Sequence, residues 1–525
     1  MRKTVYTHQP KNCRKVIKLA CVLLLFLWPM TASAQSGTPV LKAGTVNISG
    51  EVTIPGAIKK DSVWLFLKIP QPFTGEVGLY KTLLDSNGRF VLRVNTETNV
   101  SRCAVSTDIN INNQVTILLK NGHENKISVN YSDEGIINKV KAGDSAGFTE
   151  AELIQSLNKF NEMISERSGK PIERLYNKEY SAFIDHANEV LQRKRTVLDK
   201  PPLLSEKMKE IIFRDYSLAV YYNHVFDYQG EMVLNYNNTN NNKMPDSSEI
   251  KKPVRNDYSF LKNLDLGNPL YLYCFSYPTF TQELLLNSTL NIPRIQDTPI
   301  REWTKNVNEI LGQLIGFDQG LFYDMLVSNA YAMQFELELK PLTAKQIENI
   351  KSYYKNGDLE KILLRRNQEI IQKAMLKERL VVNNTPDVSP EGLMSAIISR
   401  YKGKVVIVDF WATWCVPCLE AIKESRELKK QLVDKGVVFI YIGDASSPRG
   451  LWEKRIQGIG GQQYYLTSKE SKYLLGSFNF EGIPSYLIFN KEGVLKEQFT
   501  GYLGNEVMQK RIEAMLEGDL VSHGK

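Results

Sequence analysis

Cysteine and histidine are scarce in this chain, at six and five among 525 residues. A scaffold stapled together by disulfides would carry many more cysteines at this size. A structural zinc site needs four ligands. The pair Cys415-x-x-Cys418 has no second Cys-x-x-Cys to complete one, and beyond residue 34 the only histidines are His123, His186, His224 and His523. Zinc is therefore not expected. No apolar run reaches the roughly 20 residues that cross a bilayer, and no fixed period marks a repeat architecture. A strong charge of one sign is missing too. The formal net charge is +8, but the first 34 residues hold six Lys/Arg and no Asp/Glu, so the remainder is near +2. That balance gives no electrostatic reason to expect nucleic acid.

The first 34 residues are a targeting pattern. Arg2, Lys3, Lys11, Arg14, Lys15 and Lys18 form a basic lead, Leu19 to Met30 an apolar stretch, and Ala32-Ser33-Ala34 a small-residue cleavage site. Cleavage after Ala34 and delivery to the periplasm are expected. The rival is a lipid anchor on Cys21. It is disfavoured because Lys18 stands where a lipobox needs an apolar residue, and because most of the apolar run follows Cys21. Cleavage leaves Cys103, Cys274, Cys415 and Cys418. Cys103 and Cys274 fall in different regions and are expected as buried free thiols. In an oxidising compartment, a retained Cys-x-x-Cys is more simply redox-active than idle.

Hydrophobic residues make up 42% of the chain, enough to build several cores. Residues 35–145 alternate apolar and polar side chains in short runs, as in Val46 to Val52, with turn signals such as Asp85-Ser86-Asn87-Gly88 and Asn121-Gly122. That pattern predicts a β-sandwich. Residues 146–385 carry helical periodicity, with an Asn-rich stretch at Asn235 to Asn242 expected as an exposed loop. The aromatics of this region, Tyr221, Tyr222, Tyr271, Tyr273, Phe275 and Tyr277, are expected as core. Residues 386–525 alternate buried strands with amphipathic helices, which predicts an α/β fold. The chain is therefore expected to be multidomain, with a signal peptide at 1–34 ahead of these three parts.

Cys415 follows the apolar run Val405 to Phe410 and opens the amphipathic segment Leu419 to Leu432. At a helix start a sulfur meets unpaired N–H groups and the positive end of the dipole. Both favour thiolate, the species that attacks disulfides. Cys418 lies one turn further on the same face, more deeply placed, and can close a disulfide with Cys415. Cys415 is thus read as the attacking thiol and Cys418 as the resolving one. The peroxide-binding pattern Pro-x-x-x-Thr/Ser-x-x-Cys is absent. Counting back from Cys415 its places hold Val408 and Ala412, and from Cys418 they hold Trp411 and Cys415.

The segment Val408 to Cys418, with Trp414-Cys415-Val416-Pro417-Cys418, resembles the active-site segment of thioredoxin, and Gly482-Ile483-Pro484 resembles its cis-proline loop. The helix and strand between Ile442 and Lys472 are similar to the insertion of TlpA/ResA-like exported thioredoxin-fold oxidoreductases. The order of the three parts resembles a layout of Bacteroides-type TlpA-like proteins. The resemblance implies a thioredoxin fold for residues 386–525 and a thiol–disulfide oxidoreductase without a bound cofactor. Its expected direction is reduction of protein disulfides, in cytochrome c maturation or disulfide repair, with electrons from a membrane thiol donor. A dithiol oxidase is the alternative on the same fold. A binding module, with the front regions capturing a partner, is the alternative from another class. The resemblance also implies roles for four residues. Asp409 is the buried carboxylate that accepts a proton from Cys418. Trp414 is an apolar lip, Ile483 offers backbone groups to substrate, and Pro484 packs against the disulfide. Two departures stand out: Lys423 replaces a helix-kinking proline, and Val416 stands where some ResA-like proteins place Glu.

Overall fold

The computed structural model describes residues 38–56, 62–142, 147–166, 172–241, 245, 250–374 and 379–517. The targeting pattern and its cleavage site lie outside the described residues.

Among the described residues, alternating sequences form eight strands: β1 (Leu41–Thr53), β2 (Trp64–Gln71), β3 (Glu76–Leu83), β4 (Arg89–Thr98), β5 (Val100–Thr107), β6 (Val115–Lys120), β7 (Glu124–Tyr131) and β8 (Ile137–Ala142). They make two four-stranded sheets, ordered β4-β1-β7-β8 and β3-β2-β5-β6. Leu65, Leu67 and Ile69 of β2 point inward while Trp64, its first residue, stays exposed, as the two-residue period of a strand requires. The Asp85–Gly88 turn closes as its residues suggest. The Asp85 carboxylate accepts from the backbone N–H of Asn87 and Arg89, and Gly88 takes φ +75°, where a Cβ would be strained.

Among the described residues, nine α-helices follow: α1 (Glu150–Ser165), α2 (Tyr180–Arg195), α3 (Glu206–Val220), α4 (Tyr228–Thr239), α5 (Tyr277–Leu286), α6 (Ile300–Ile315), α7 (Leu321–Glu338), α8 (Ala344–Tyr354) and α9 (Asp358–Ala374). Thr149 starts α1 with a reciprocal cap, its hydroxyl and the Glu152 carboxylate each taking the other's backbone N–H. The Asn-rich stretch departs from expectation. Asn235 to Thr239 are the last turns of α4, where the Asn235 side chain accepts from Leu175 N–H at 2.8 Å and donates to Glu173 C=O at 2.8 Å. Tertiary partners there override the weak helix propensity of asparagine. The strands and helices share one apolar core, to which Tyr221, Tyr271, Tyr273 and Tyr277 belong. Cys103 and Cys274 are buried in it as free thiols.

The last region contains β9 (Val381–Val382), α10 (Pro390–Ile398), β10 (Val405–Phe410), α11 (Val416–Glu424), α12 (Arg426–Asp434), β11 (Val437–Asp444), α13 (Arg449–Ile459), β12 (Gln462–Leu466), α14 (Ser468–Ser477), β13 (Ser485–Phe489), β14 (Leu495–Thr500) and α15 (Asn505–Glu517). Its six-stranded sheet is ordered β14-β13-β10-β11-β12-β9. The central strand β10 is buried throughout, which explains its unbroken apolar run. Val406, Val408 and Phe410 feed one core, whereas Val405 and Ile407 feed the other, which also holds Cys415 and Cys418. By the same period, Asp409 points to the cysteine side.

Despite the missing proline, the helix after Cys415 still breaks. α11 ends at Glu424 and α12 begins at Arg426, with the Ser425 hydroxyl donating to Ala421 C=O at 2.7 Å. Such back-bonding bends helices. Lys423 instead joins an ion cluster with the earlier regions, its Nζ lying 3.0 Å from Glu76 and 3.5 Å from Glu336. Arg366 pairs with the same two carboxylates and with Glu369. Burial opposes charge on Glu336, yet Lys423 and Arg366 hold its carboxyl well below the usual carboxylate range. Arg366→Met would remove the cation shared by Glu76, Glu336 and Glu369, leaving the first two glutamates to Lys423. Breaking a buried pair costs about 3–5 kcal/mol, and partial exposure of the two glutamates reduces this to about 2–3 kcal/mol. Urea denaturation of wild type and variant measures the loss. A difference below about 0.5 kcal/mol would show the cluster to be solvated.

Candidate active site

The buried β10 delivers the chain to a loop whose residues Trp411, Ala412 and Thr413 are also buried. Cys415 then caps α11, its backbone extended at φ −81° and ψ 93°, and its Sγ accepts from Cys418 N–H at 3.2 Å. Pro417 fits this first turn, because its missing N–H would have no helical acceptor there. Cys415 and Cys418 are joined by a disulfide, with Cα atoms 5.3 Å apart.

Cys415 is 3% exposed and Cys418 fully buried, but the flanking Trp414 and Val416 are 60% and 59% exposed. Only the rim on the Cys415 side is therefore open. Across that rim lies the Ile483–Pro484 loop, with a cis peptide bond. The Ile483 carbonyl oxygen is 3.7 Å from Cys415 Sγ. Pro484 is buried, and its carbonyl accepts from Gly501 N–H at 2.8 Å, tying the loop to the end of β14. The structure thus gathers Trp414, Cys415, Cys418, Ile483 and Pro484 at one mouth.

Asp409, near the end of β10, is 4% exposed, and among the described residues its Oδ1 has no hydrogen-bond partner. Its carboxyl borders a small cavity of about 10 Å³ shared with Ser425, Lys429, Tyr486 and Tyr502. Burial pushes the Asp409 pKa up to about 7, against the opposing pull of the Lys429 ammonium. Lys429 itself sits over the Tyr441 ring, 4.7 Å from its centroid. Among the described residues, no three His, Cys, Asp or Glu side chains cluster as a metal site.

Residues 381–516 match the family model Redoxin. The C-terminal domain is a redoxin. Thiol-disulfide oxidoreductase ResA of Geobacillus kaustophilus is 25% identical over 118 residues, covering 22% of this chain and 67% of that protein. Thioredoxin-like protein YneN of Bacillus subtilis is 27% identical over 115 residues, covering 21% of this chain and 65% of that protein. A thioredoxin-family thiol:disulfide interchange protein of Chlorobium tepidum is a solved structural neighbour. It has 23% identity and a TM-score of 0.21, over 22% of this chain and 83% of its own. The thioredoxin domain of a Bacteroides vulgatus thiol-disulfide oxidoreductase has 21% identity and a TM-score of 0.20, over 22% and 83%. The redoxin domain is ResA/TlpA-like, and its enzyme class is thioredoxin-like thiol–disulfide oxidoreductase.

Three contacts of the redoxin domain have no signature in the linear sequence. Lys429 faces Asp409 from α12. Ser447 Oγ accepts from Thr413 N–H at 2.9 Å, and Ser446 Oγ accepts from the Trp414 indole N–H at 3.1 Å. A lysine in an amphipathic helix and serines after a strand read as solvated positions. Only the fold brings them to the site.

Proposed function

We propose that the protein is an exported reductase of protein disulfides, in which Cys415 attacks and Cys418 resolves. The observation that carries this reading is the placement of Cys415 at the start of α11, on an open rim opposite the Ile483 carbonyl. The Cys415 thiolate attacks one sulfur of a substrate disulfide. That bond breaks, a mixed disulfide forms, and the released substrate thiolate takes up a proton. Cys418 then passes its proton to Asp409 and attacks Cys415 Sγ. The Cys415–Cys418 disulfide forms as the second substrate thiolate leaves and is protonated. Two electrons and two protons have moved to the substrate. Ile483 offers backbone groups to the extended substrate segment, Pro484 presents a face without an N–H beside the sulfurs, and Trp414 forms the apolar lip.

A thiol donor at the membrane returns the pair to the dithiol, and the substrates are protein disulfides, including apocytochrome-type cysteine pairs. The matched ResA relatives are named for this reaction class. The basic lead, short apolar stretch and Ala32-Ser33-Ala34 support export. The three parts meet near residues 145 and 385, the two front sheets forming a sandwich beside the helical region.

Iodoacetamide labelling of the reduced mature protein, whose first residue is then Gln35, tests the assignment. Near neutral pH, mass spectrometry should find Cys415 carbamidomethylated at least about tenfold faster than Cys418, because only Cys415 lies at both the helix start and the rim. Equal or reversed rates would overturn the roles.

A further inference from the structure

The helix α13, inserted between β11 and β12, belongs to two cores at once. Its Trp452 and Ile456 fill the core of the redoxin domain that holds the cysteines. Its Leu451 packs against the separate core of the front sheets and helices. Further along, Gly458 meets the end of α7 so closely that a Cβ would fall 2.9 Å from the Leu337 carbonyl oxygen. Arg455 on α13 faces Glu283 on α5 as an opposite charge. At its other end, the turn leading into α13 reaches the active-site loop. Ser447 is fully buried and takes the Thr413 N–H, while Ser446 takes the Trp414 indole N–H. That turn is itself tied down. Tyr465 O–H donates to Ser447 C=O at 2.7 Å, Ser446 N–H donates to Asp444 Oδ1 at 2.9 Å, and the Arg449 guanidinium lies against both Trp452 and Tyr465, 4.7 and 4.6 Å from the ring centroids.

We infer that α13 is a strut by which the helical region holds the substrate lip of the redoxin domain, with Ser447 and Ser446 as its positioning residues. The chain of contacts runs from Leu337 and Glu283 through α13 to Ser446 and Ser447, and ends on Thr413 and Trp414, the residues just before Cys415. Neither serine touches the sulfurs. Their part is to fix the loop and the indole against which a polypeptide substrate lies. A small reagent that needs only the Cys415 sulfur does not use that surface. The inference rests on the reading of Cys415 as the attacking thiol and adds what holds its substrate surface. It also gives the front regions a role in recognition without placing them over the mouth.

The test uses the full mature chain, insulin as the protein disulfide with dithiothreitol as electron source, and iodoacetamide as the small reagent. Ser447→Ala should raise KM for insulin about fivefold, the worth of one hydrogen bond, while the iodoacetamide rate at Cys415 stays within about twofold. Ser447→Thr, which keeps the hydroxyl, should restore KM. Gly458→Ala wedges α13 away from α7 and should raise KM in the same direction. If that variant does not fold, Arg455→Gln loosens the same helix through its charge contact and should do likewise. An unchanged KM in Ser447→Ala overturns the positioning role. An unchanged KM in the folded variant at Gly458 or Arg455 overturns the strut. Failure of the parent reading looks different: iodoacetamide then fails to favour Cys415 in the wild type.

Discussion

Reduced Cys418→Ala protein offered a disulfide substrate should accumulate as a covalent adduct through Cys415, stable until an external thiol is added. Cys415→Ser should form no adduct and lose insulin-reducing turnover by on the order of 10³-fold or more, the scale on which removal of a nucleophile acts. The asymmetry follows from position. Cys415 caps α11 at the open rim, whereas Cys418 is wholly buried one turn inside and meets substrate only as the mixed disulfide on Cys415. Substituting Cys418 removes the resolving step and leaves attack intact. Substituting Cys415 removes attack itself, since a serine hydroxyl at neutral pH is a poor nucleophile toward sulfur. Non-reducing electrophoresis followed by mass spectrometry reads both results. Adducts of equal yield through Cys418 in Cys415→Ser would contradict the account.

Asp409→Asn should slow resolution of the mixed disulfide by about 10²-fold, the lower end of what a positioned proton acceptor contributes. Initial attack by Cys415 should change far less. Burial raises the Asp409 pKa to about 7, so the carboxylate is still a base at neutral pH yet close enough to that pH to accept and release a proton. Resolution in the wild type should therefore accelerate as pH rises through about 7, and the Asn variant should lack that inflection. Stability carries the same signature with a defined sign. The folded pKa of about 7 lies above the ordinary aspartate value of 3.8, so the folded state binds the proton more tightly. The contribution to stability is fully present below about 3.8 and is lost as pH rises through about 7. Asp409→Asn should remove that loss and leave the protein relatively more stable at pH 8 than at pH 5, compared with wild type. Stopped-flow resolution rates and denaturation at the two pH values check both halves. Equal slowing of attack and resolution would show Asp409 to be merely structural.

The site was readable from the sequence because its chemistry is nearly contiguous. A buried strand, two cysteines one helical turn apart and Gly482-Ile483-Pro484 each announce a local geometry. The burial of Asp409 was legible only through the resemblance of Val408 to Cys418 to the thioredoxin segment, since a lone carboxylate in an apolar run does not by itself say which way it faces. What could not be read depends on contacts between distant residues. Nothing in the local sequence says that Lys423 reaches Glu76, nor that Ser446 and Ser447 close on the loop before Cys415. The front sheets were legible strand by strand through their alternation, but their order was not. β1 pairs in parallel with β7 across five intervening strands, a choice made by packing and not by any turn. Asn235 to Thr239 misled because asparagine favours loops on its own, and here Leu175 and Glu173 recruit its side chain into the fold.

The direction of the reaction is the central claim, and the reduction potential of the Cys415–Cys418 pair tests it most directly. Both directions use the same atoms, and an oxidising compartment favours the disulfide unless electrons are delivered. The mature protein is equilibrated with graded ratios of reduced and oxidised glutathione, and the fraction of dithiol is counted by acid trapping and alkylation. A reductase should give a potential near that of thioredoxin, about −270 mV, whereas a strong oxidase lies near −120 mV. A value more oxidising than about −180 mV, the level of protein disulfide isomerase, would contradict the reductase and make the protein a dithiol oxidase.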